Sequence, residues 1–130
     1  GMIPWFSHLM GTAVHGLPWI WALIALAPIF FYSHYFFASN TAHVSAMYAA
    51  FLGVAIAAGA PPMLAALLLG FIGNLFGCLT HYGSGPAPVF FGSGYVPQDK
   101  WWLLGFSVSV IHLIIWGVIG GLWWKVLGIW

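Results

Sequence analysis

Charge is what this sequence lacks. Of its 130 residues only Asp99, Lys100 and Lys125 are formally charged at neutral pH, and Gly1 to Gln98 contains no Asp, Glu, Lys or Arg. Soluble domains carry about a quarter charged residues, so a charged share of 2% leaves no surface suited to water. With no basic patch to neutralise phosphates, nucleic acid is excluded as a partner. No carboxylate pair, activated nucleophile or metal cluster lies in the apolar segments, which argues against an enzyme and implies no cofactor. Cysteine is scarce as well. The single Cys78 cannot close an internal disulfide, and a free Cys behaves as a small buried hydrophobe. The start, Gly1-Met2-Ile3-Pro4-Trp5, has no basic residue and does not read as a removable signal.

Apolar residues make up 63% of the chain, with nine Trp and eleven Phe. The solvent for such a chain is lipid or other protein, and a spanning helix needs roughly 20 apolar residues. Glycine and proline divide the sequence. Residues 1–16 form a short piece, the end of a preceding helix or an interfacial segment. Residues 17–60 hold two apolar arms, Trp19 to Phe37 and Ala42 to Ala58, joined at Ser39-Asn40-Thr41. Residues 61–95 begin at Pro61-Pro62, run apolar from Met63 to Leu79, and break over Thr80 to Pro88, where two glycines and two prolines forbid regular helix. Residues 96–100 read as an aqueous loop. Residues 101–130 are the last span, with Trp pairs near both ends matching interfacial aromatic belts.

The two breaks are where chemistry can sit. Ser39-Asn40-Thr41 lies between apolar arms with no charged loop, which predicts a re-entrant hairpin whose tip stays within the membrane; a plain interhelical turn is the alternative. Irregular backbone at that depth is tolerated only when buried in protein or lining a water-filled cavity. Paired interrupted segments point to the binding site of a secondary transporter. The tip offers hydroxyls, an amide and the N-terminal end of the following helix, all suited to a carboxylate. The second break offers Thr80, His81, Ser84 and the amides near Gly83 and Gly85.

Six histidines stand in a chain with two other basic residues. An ionisable residue within the membrane is a functional hypothesis by default. His43 and His81 adjoin the breaks and could place positive charge beside an anion. His34, on the first arm, is a weaker candidate. His112 reads as a satisfied structural residue, and His8 and His15 as interfacial. Gly73-x-x-x-Gly77 and Gly117-x-x-x-Gly121 would permit close helix approach and carry no functional weight.

The run Tyr32-Ser33-His34-Tyr35-Phe36-Phe37-Ala38-Ser39-Asn40-Thr41-Ala42-His43 resembles the second Ser-Asn-Thr hairpin tip of the divalent anion/sodium symporter (DASS) family. Cys78 to Gly92, with Thr80-His81-Tyr82-Gly83-Ser84-Gly85-Pro86, is similar to that family's second helix break. With Gly94-Tyr95-Val96-Pro97 and Trp123-Trp124-Lys125 the resemblance covers nearly the whole chain. It is nearest to the branch of citrate/succinate, tartrate/succinate and 2-oxoglutarate/malate antiporters. The resemblance implies an all-α, polytopic integral membrane protein: the second inverted repeat of an elevator-type transporter, with a re-entrant hairpin and a broken helix. The single Ser-Asn-Thr motif matches the second repeat, so the chain reads as a fragment whose N-terminal repeat lies upstream.

The expected function is exchange of di- or tricarboxylate anions: citrate, succinate, malate, tartrate or 2-oxoglutarate. Ser39, Asn40, Thr41, Thr80, Gly83, Ser84, Gly85 and Pro86 are the expected substrate contacts, with His43 and His81 compensating charge. Replacing a bound cation by histidine would favour obligatory exchange. The alternative within the family is sodium-coupled symport, with Na+ at Ser39, Asn40 and Thr80. From another class, a haem-binding membrane anchor would use paired histidines, but those occupy facing mid-helix positions and need no Ser-Asn-Thr. The expected partners are the carboxylate, lipid, the N-terminal repeat and a second copy in a homodimer. The expected location is a bacterial inner membrane, with a plastid inner envelope as second choice.

Overall fold

The computed structural model describes residues 2–130, and among them every regular element is helical. Helix α1 covers Met2–Val14, α2 Trp19–Tyr32, α3 Asn40–Ala57, α4 Pro62–Ile72, α5 Ala87–Gly92, α6 Gln98–Ile114 and α7 Gly121–Val126. A 3-10 turn, Ser33–Phe36, extends α2; another, Phe76–Cys78, follows α4; a π-helical stretch, Ile115–Gly120, joins α6 to α7. Among the described residues three continuous helical stretches are long and apolar enough to cross a membrane: Trp19–Phe36, Asn40–Ala57 and Gln98–Val126.

Helices α2 and α3 form a hairpin. Proline at 18 starts the first arm, and Pro28 sits inside it. After the 3-10 turn, Phe37 is extended (φ −122°, ψ 135°) and Ser39 caps α3 in the extended region. Its Oγ accepts a long hydrogen bond from the Ala42 N–H, 3.4 Å, so Asn40 and Thr41, expected at the tip, already belong to the first helical turn. The non-helical tip is therefore Phe37 to Ser39. At the far end, Ala60 N–H reaches the Ala55 carbonyl and Gly59 N–H the Ile56 carbonyl, both near 3.0 Å. This six-to-one closure needs a left-handed residue, and Gly59 supplies φ +90°. A Cβ on Gly59 would lie 3.9 Å from Trp19 Cβ, so the base of the hairpin is closed where its arms begin and end.

Helix α4 ends at Ile72, earlier than the apolar run to Leu79 implies. Asn74 Nδ2 donates to the Gly70 carbonyl at 3.2 Å, and the next backbone bonds tighten to three-residue spacing through Leu75. Side-chain amides that compete for helix carbonyls favour such terminations. The unwound stretch then closes into α5 at Ala87, because Pro88 sits in the first turn, where a missing N–H costs nothing. Likewise Asp99 and Lys100 lie in the first turn of α6, not in a loop; extended Pro97 (ψ 154°) precedes them. A carboxylate there is favoured by the helix dipole.

The core is aromatic and aliphatic: Phe30, Phe31, Phe51, Phe76, Leu26, Leu69, Ile72 and Leu79 are fully buried. Burial of such side chains is worth about 1.5–3 kcal/mol each when the alternative is water; against lipid the gain is chiefly packing. Tyr48 OH donates to the Ala66 carbonyl at 2.9 Å, tying α3 to α4. The α6–α7 rod meets this core along one narrow stripe, where Gly105, Ser109 and Trp124 are buried while Leu103, Leu104, Ile111, Ile114, Val118 and Leu122 stay exposed. Tyr32 and Ser109 share a hydrogen bond of 3.0 Å across that seam. Gly105 sits against the Cys78 and Leu79 carbonyls, with no room for a Cβ, whereas the space around Gly117 is open. Gly105→Ala should therefore destabilise the intact carrier by about 1–3 kcal/mol. Thermal unfolding in detergent checks this, with Gly117→Ala expected to leave the midpoint unchanged.

Candidate functional site

The two breaks meet. Tyr82, in the second, donates its hydroxyl to the Tyr35 carbonyl in the first at 2.9 Å. His34 Nε2 lies 2.8 Å from the Gly83 carbonyl, so that ring nitrogen carries the hydrogen. A Cβ on Gly77 would lie 3.1 Å from both terminal atoms of the Asn40 amide and 3.1 Å from Ser84 Cβ. Asn40 therefore reaches across from the first turn of α3 to touch the second break. A Cβ on Gly83 would lie 2.7 Å from His34 Nε2 and 2.8 Å from Thr80 Oγ1; only a glycine lets this backbone approach so closely.

The pairing leaves two polar atoms stranded. Asn40 Oδ1 and Thr80 Oγ1 are buried and have no hydrogen-bond partner. Buried polar groups are nearly always bonded, so each exception calls for a reason; here both flank the same junction of glycines. His112 Nδ1 is a third such atom, on α6. It runs against the expectation of a satisfied structural histidine there.

The remaining expected residues are placed as follows. Ser39 caps α3. Thr41, Gly85 and Pro86 are exposed beside the junction, and the Pro86 carbonyl accepts from Val89 and Phe90 at 3.1 and 3.2 Å. His43 is fully buried, its Nδ1 3.2 Å from His34 Nδ1 and its Nε2 2.9 Å from Ser33 Oγ. His81 turns the other way: the Trp102 indole N–H donates to its Nδ1 at 3.1 Å, and the Phe91 ring lies 4.4 Å away. The structure thus brings together Asn40, Thr80, Gly83, Ser84 and His43, and holds His81 against α6.

Sequence reasoning underrated His34, which sits at the centre, and passed over Ser33, Phe76 and Gly77. A signal existed: His34 and His43 stand symmetrically about Ala38-Ser39, so any tip folded there lays one imidazole beside the other. Phe76 stacks on His34 at 4.2 Å, and Phe37 on His43 at 4.5 Å. Among the described residues no three His, Cys, Asp or Glu side chains converge as a metal site.

Known proteins resemble this chain along its whole length. A putative malate transporter, YflS, of Bacillus subtilis (strain 168) is 67% identical over 130 residues, all of this chain and 27% of the relative. Dicarboxylate transporter 1, chloroplastic, of Spinacia oleracea is 54% identical over 132 residues, all of this chain and 23% of its own length. The L-tartrate/succinate antiporter of Escherichia coli (strain K12) is 34% identical over 128 residues, 98% of this chain and 26% of that protein. The chain thus spans about a quarter of the length of these curated relatives. These relatives are transporters by name, not enzymes. The family described as "Sodium:sulfate symporter transmembrane region" matches residues 1–130 from end to end, and the chain belongs to that family, the divalent anion/sodium symporters that its two breaks resemble.

Proposed function

We propose that this chain supplies one wall of the binding site of a di- or tricarboxylate exchanger, as the second inverted repeat of an elevator-type carrier. The observation that carries the proposal is the junction of the two breaks, where Asn40 Oδ1 and Thr80 Oγ1 are buried without partners. A carboxylate needs donors. The Thr80 hydroxyl can donate, the Asn40 amide can present Nδ2 by turning over, and the first amides of α3 point outward at the same end. Ser39, Thr41, Ser84, Gly83, Gly85 and Pro86 complete the rim. The exposed side of Thr41, Gly85 and Pro86 faces the wall contributed by the upstream repeat, the intact carrier being a homodimer in a bacterial inner membrane.

The positive charge that would balance a bound anion at the first tip is assigned to His43 and its neighbour His34, which no carboxylate of this chain neutralises: Asp99 is exposed on the first turn of α6. A site charged only by histidine is balanced when an anion occupies it, which favours exchange over net uptake. One observation also favours sodium symport. Asn40 Oδ1 and Thr80 Oγ1 can serve as oxygen ligands for a hard cation just as they can meet a carboxylate. The haem reading loses its ground, because His34 and His43 bond each other directly at 3.2 Å.

The intact carrier in liposomes is expected to take up labelled succinate or malate only when dicarboxylate is trapped inside, with or without sodium. Uptake into empty vesicles driven by a sodium gradient would establish symport instead. Asn40→Ala and Thr80→Ala are each expected to weaken substrate affinity by about tenfold to a hundredfold, the loss of one hydrogen bond to a charged group, read as the half-saturating concentration for exchange. His81→Ala is expected to slow exchange with an altered pH profile. Unchanged exchange at several pH values would remove His81 from the charge balance.

A further inference from the structure

We propose that His34 and His43 together form a proton-binding site that holds one excess proton between two imidazoles, a single buried positive charge beneath the hairpin tip. Four polar gaps run in series. The Gly83 carbonyl lies 2.8 Å from His34 Nε2; His34 Nδ1 lies 3.2 Å from His43 Nδ1; His43 Nε2 lies 2.9 Å from Ser33 Oγ; and Ser33 Oγ lies 2.8 Å from the Phe30 carbonyl. Both ends of the series are carbonyl oxygens, which only accept. Four gaps therefore need four hydrogens. Two neutral imidazoles and one hydroxyl bring three. One added proton completes the series: His34 donates to Gly83, one Nδ1 donates to the other, His43 Nε2 donates to Ser33, and Ser33 donates to Phe30. Without it, the Ser33 hydrogen has to turn to His43, and the Phe30 carbonyl faces a hydroxyl lone pair at 2.8 Å. The two states thus differ by that one proton and a hydroxyl rotation, with no heavy atom displaced.

Burial costs a cation its hydration here, and the ring faces around the pair offset part of that cost. Phe76 stacks on His34 at 4.2 Å and 24° and lies 4.5 Å from His43. Phe37 stacks on His43 at 4.5 Å and 13°, and Phe30 lies 4.9 Å from it. Aromatic faces within about 6 Å attract a cation through the ring quadrupole. The titratable groups on neighbouring elements are engaged elsewhere. Tyr32 bonds Ser109, Tyr82 bonds the Tyr35 carbonyl, Tyr48 bonds the Ala66 carbonyl, Cys78 Sγ bonds the Leu75 carbonyl, and His81 accepts from Trp102. Tyr35, on the same 3-10 turn as His34, is half-buried and faces Tyr32 and Trp102. On α6, Asp99 and Lys100 are exposed and His112 is half-buried, as is Cys78; His8 and His15 on the α1 side are exposed. The counter-charge thus has to come from outside the chain, which an anion at the tip would provide. That last step alone rests on the transport reading; the proton site does not.

The test is 15N solid-state NMR of histidine-labelled intact carrier in lipid bilayers, titrated between about pH 5 and 9, the range where an imidazole ordinarily changes charge. His34 and His43 are expected to take up one proton between them, with coupling across the Nδ1–Nδ1 gap. Ser33→Ala cuts the series to two gaps that two neutral rings fill, so its pair should lose the proton at a pH lower by about one unit or more. A pair neutral throughout, a pair taking two protons independently, or an unchanged titration in Ser33→Ala would overturn the proposal. Malate added to the unmodified carrier should move the proton loss to higher pH. If malate changes nothing while the shared proton is present, the transport reading fails and the proton site stands.

Discussion

Backbone polar groups away from water must find partners within the protein, and in this chain two stretches of backbone cannot find them along their own helices. An apolar sequence in lipid has little else to offer: no carboxylates or guanidinium groups occur over the first 98 residues. The solution is reciprocal. The second break lends the Tyr82 hydroxyl to the carbonyl of Tyr35, and the first lends an imidazole to the carbonyl of Gly83. Each irregular segment exists because the other satisfies it. The rest of the fold can be understood as support for that meeting, from the hairpin closed at Gly59 to the glycine at 105 that lets α6 lie on the Cys78 carbonyl.

The same constraint leaves polar atoms at the junction without partners. Satisfying two breaks with side chains from a short polar inventory leaves a remainder, and that remainder is Asn40 Oδ1 and Thr80 Oγ1. Unpaired buried oxygens destabilise a protein by about 1–3 kcal/mol each, a cost that the proposed ligand would remove. In the proposed function, what the fold leaves unsatisfied is what a carboxylate or a cation would complete. The histidine pair differs, since it is bonded at both ends and its only freedom is in the number of protons it holds.

Much of the fold was legible along the chain. The absence of charge, the length of the apolar runs and the glycine and proline punctuation pointed to an all-helical chain with two interruptions, because these depend on local chemistry and on the solvent. The ends of α4 and α6 were less legible. Asn74 bonding back to Gly70 ends one helix early, and Pro97 starts the other two residues before the polar pair; both are decided by single local bonds that an apolar pattern does not reveal. Asn40, Thr80, Ser84 and His43 were singled out because they adjoin the breaks, and the fold brings them to one junction. His34 was underrated because its importance comes from a residue nine positions away.

Sequence by itself determined that the chain is suited to lipid, that it is helical, and that two polar breaks interrupt its helices. Those conclusions follow from composition and from backbone rules that hold whatever the packing. Only the tertiary structure decided which histidine faces which. Residues 34 and 43 come together by folding of the tip, while His81 is claimed by an indole twenty-one residues on. The physical reason is directional: a hydrogen bond needs both distance and aim, and in this fold both are set by how the hairpin, the unwound segment and α6 pack against one another.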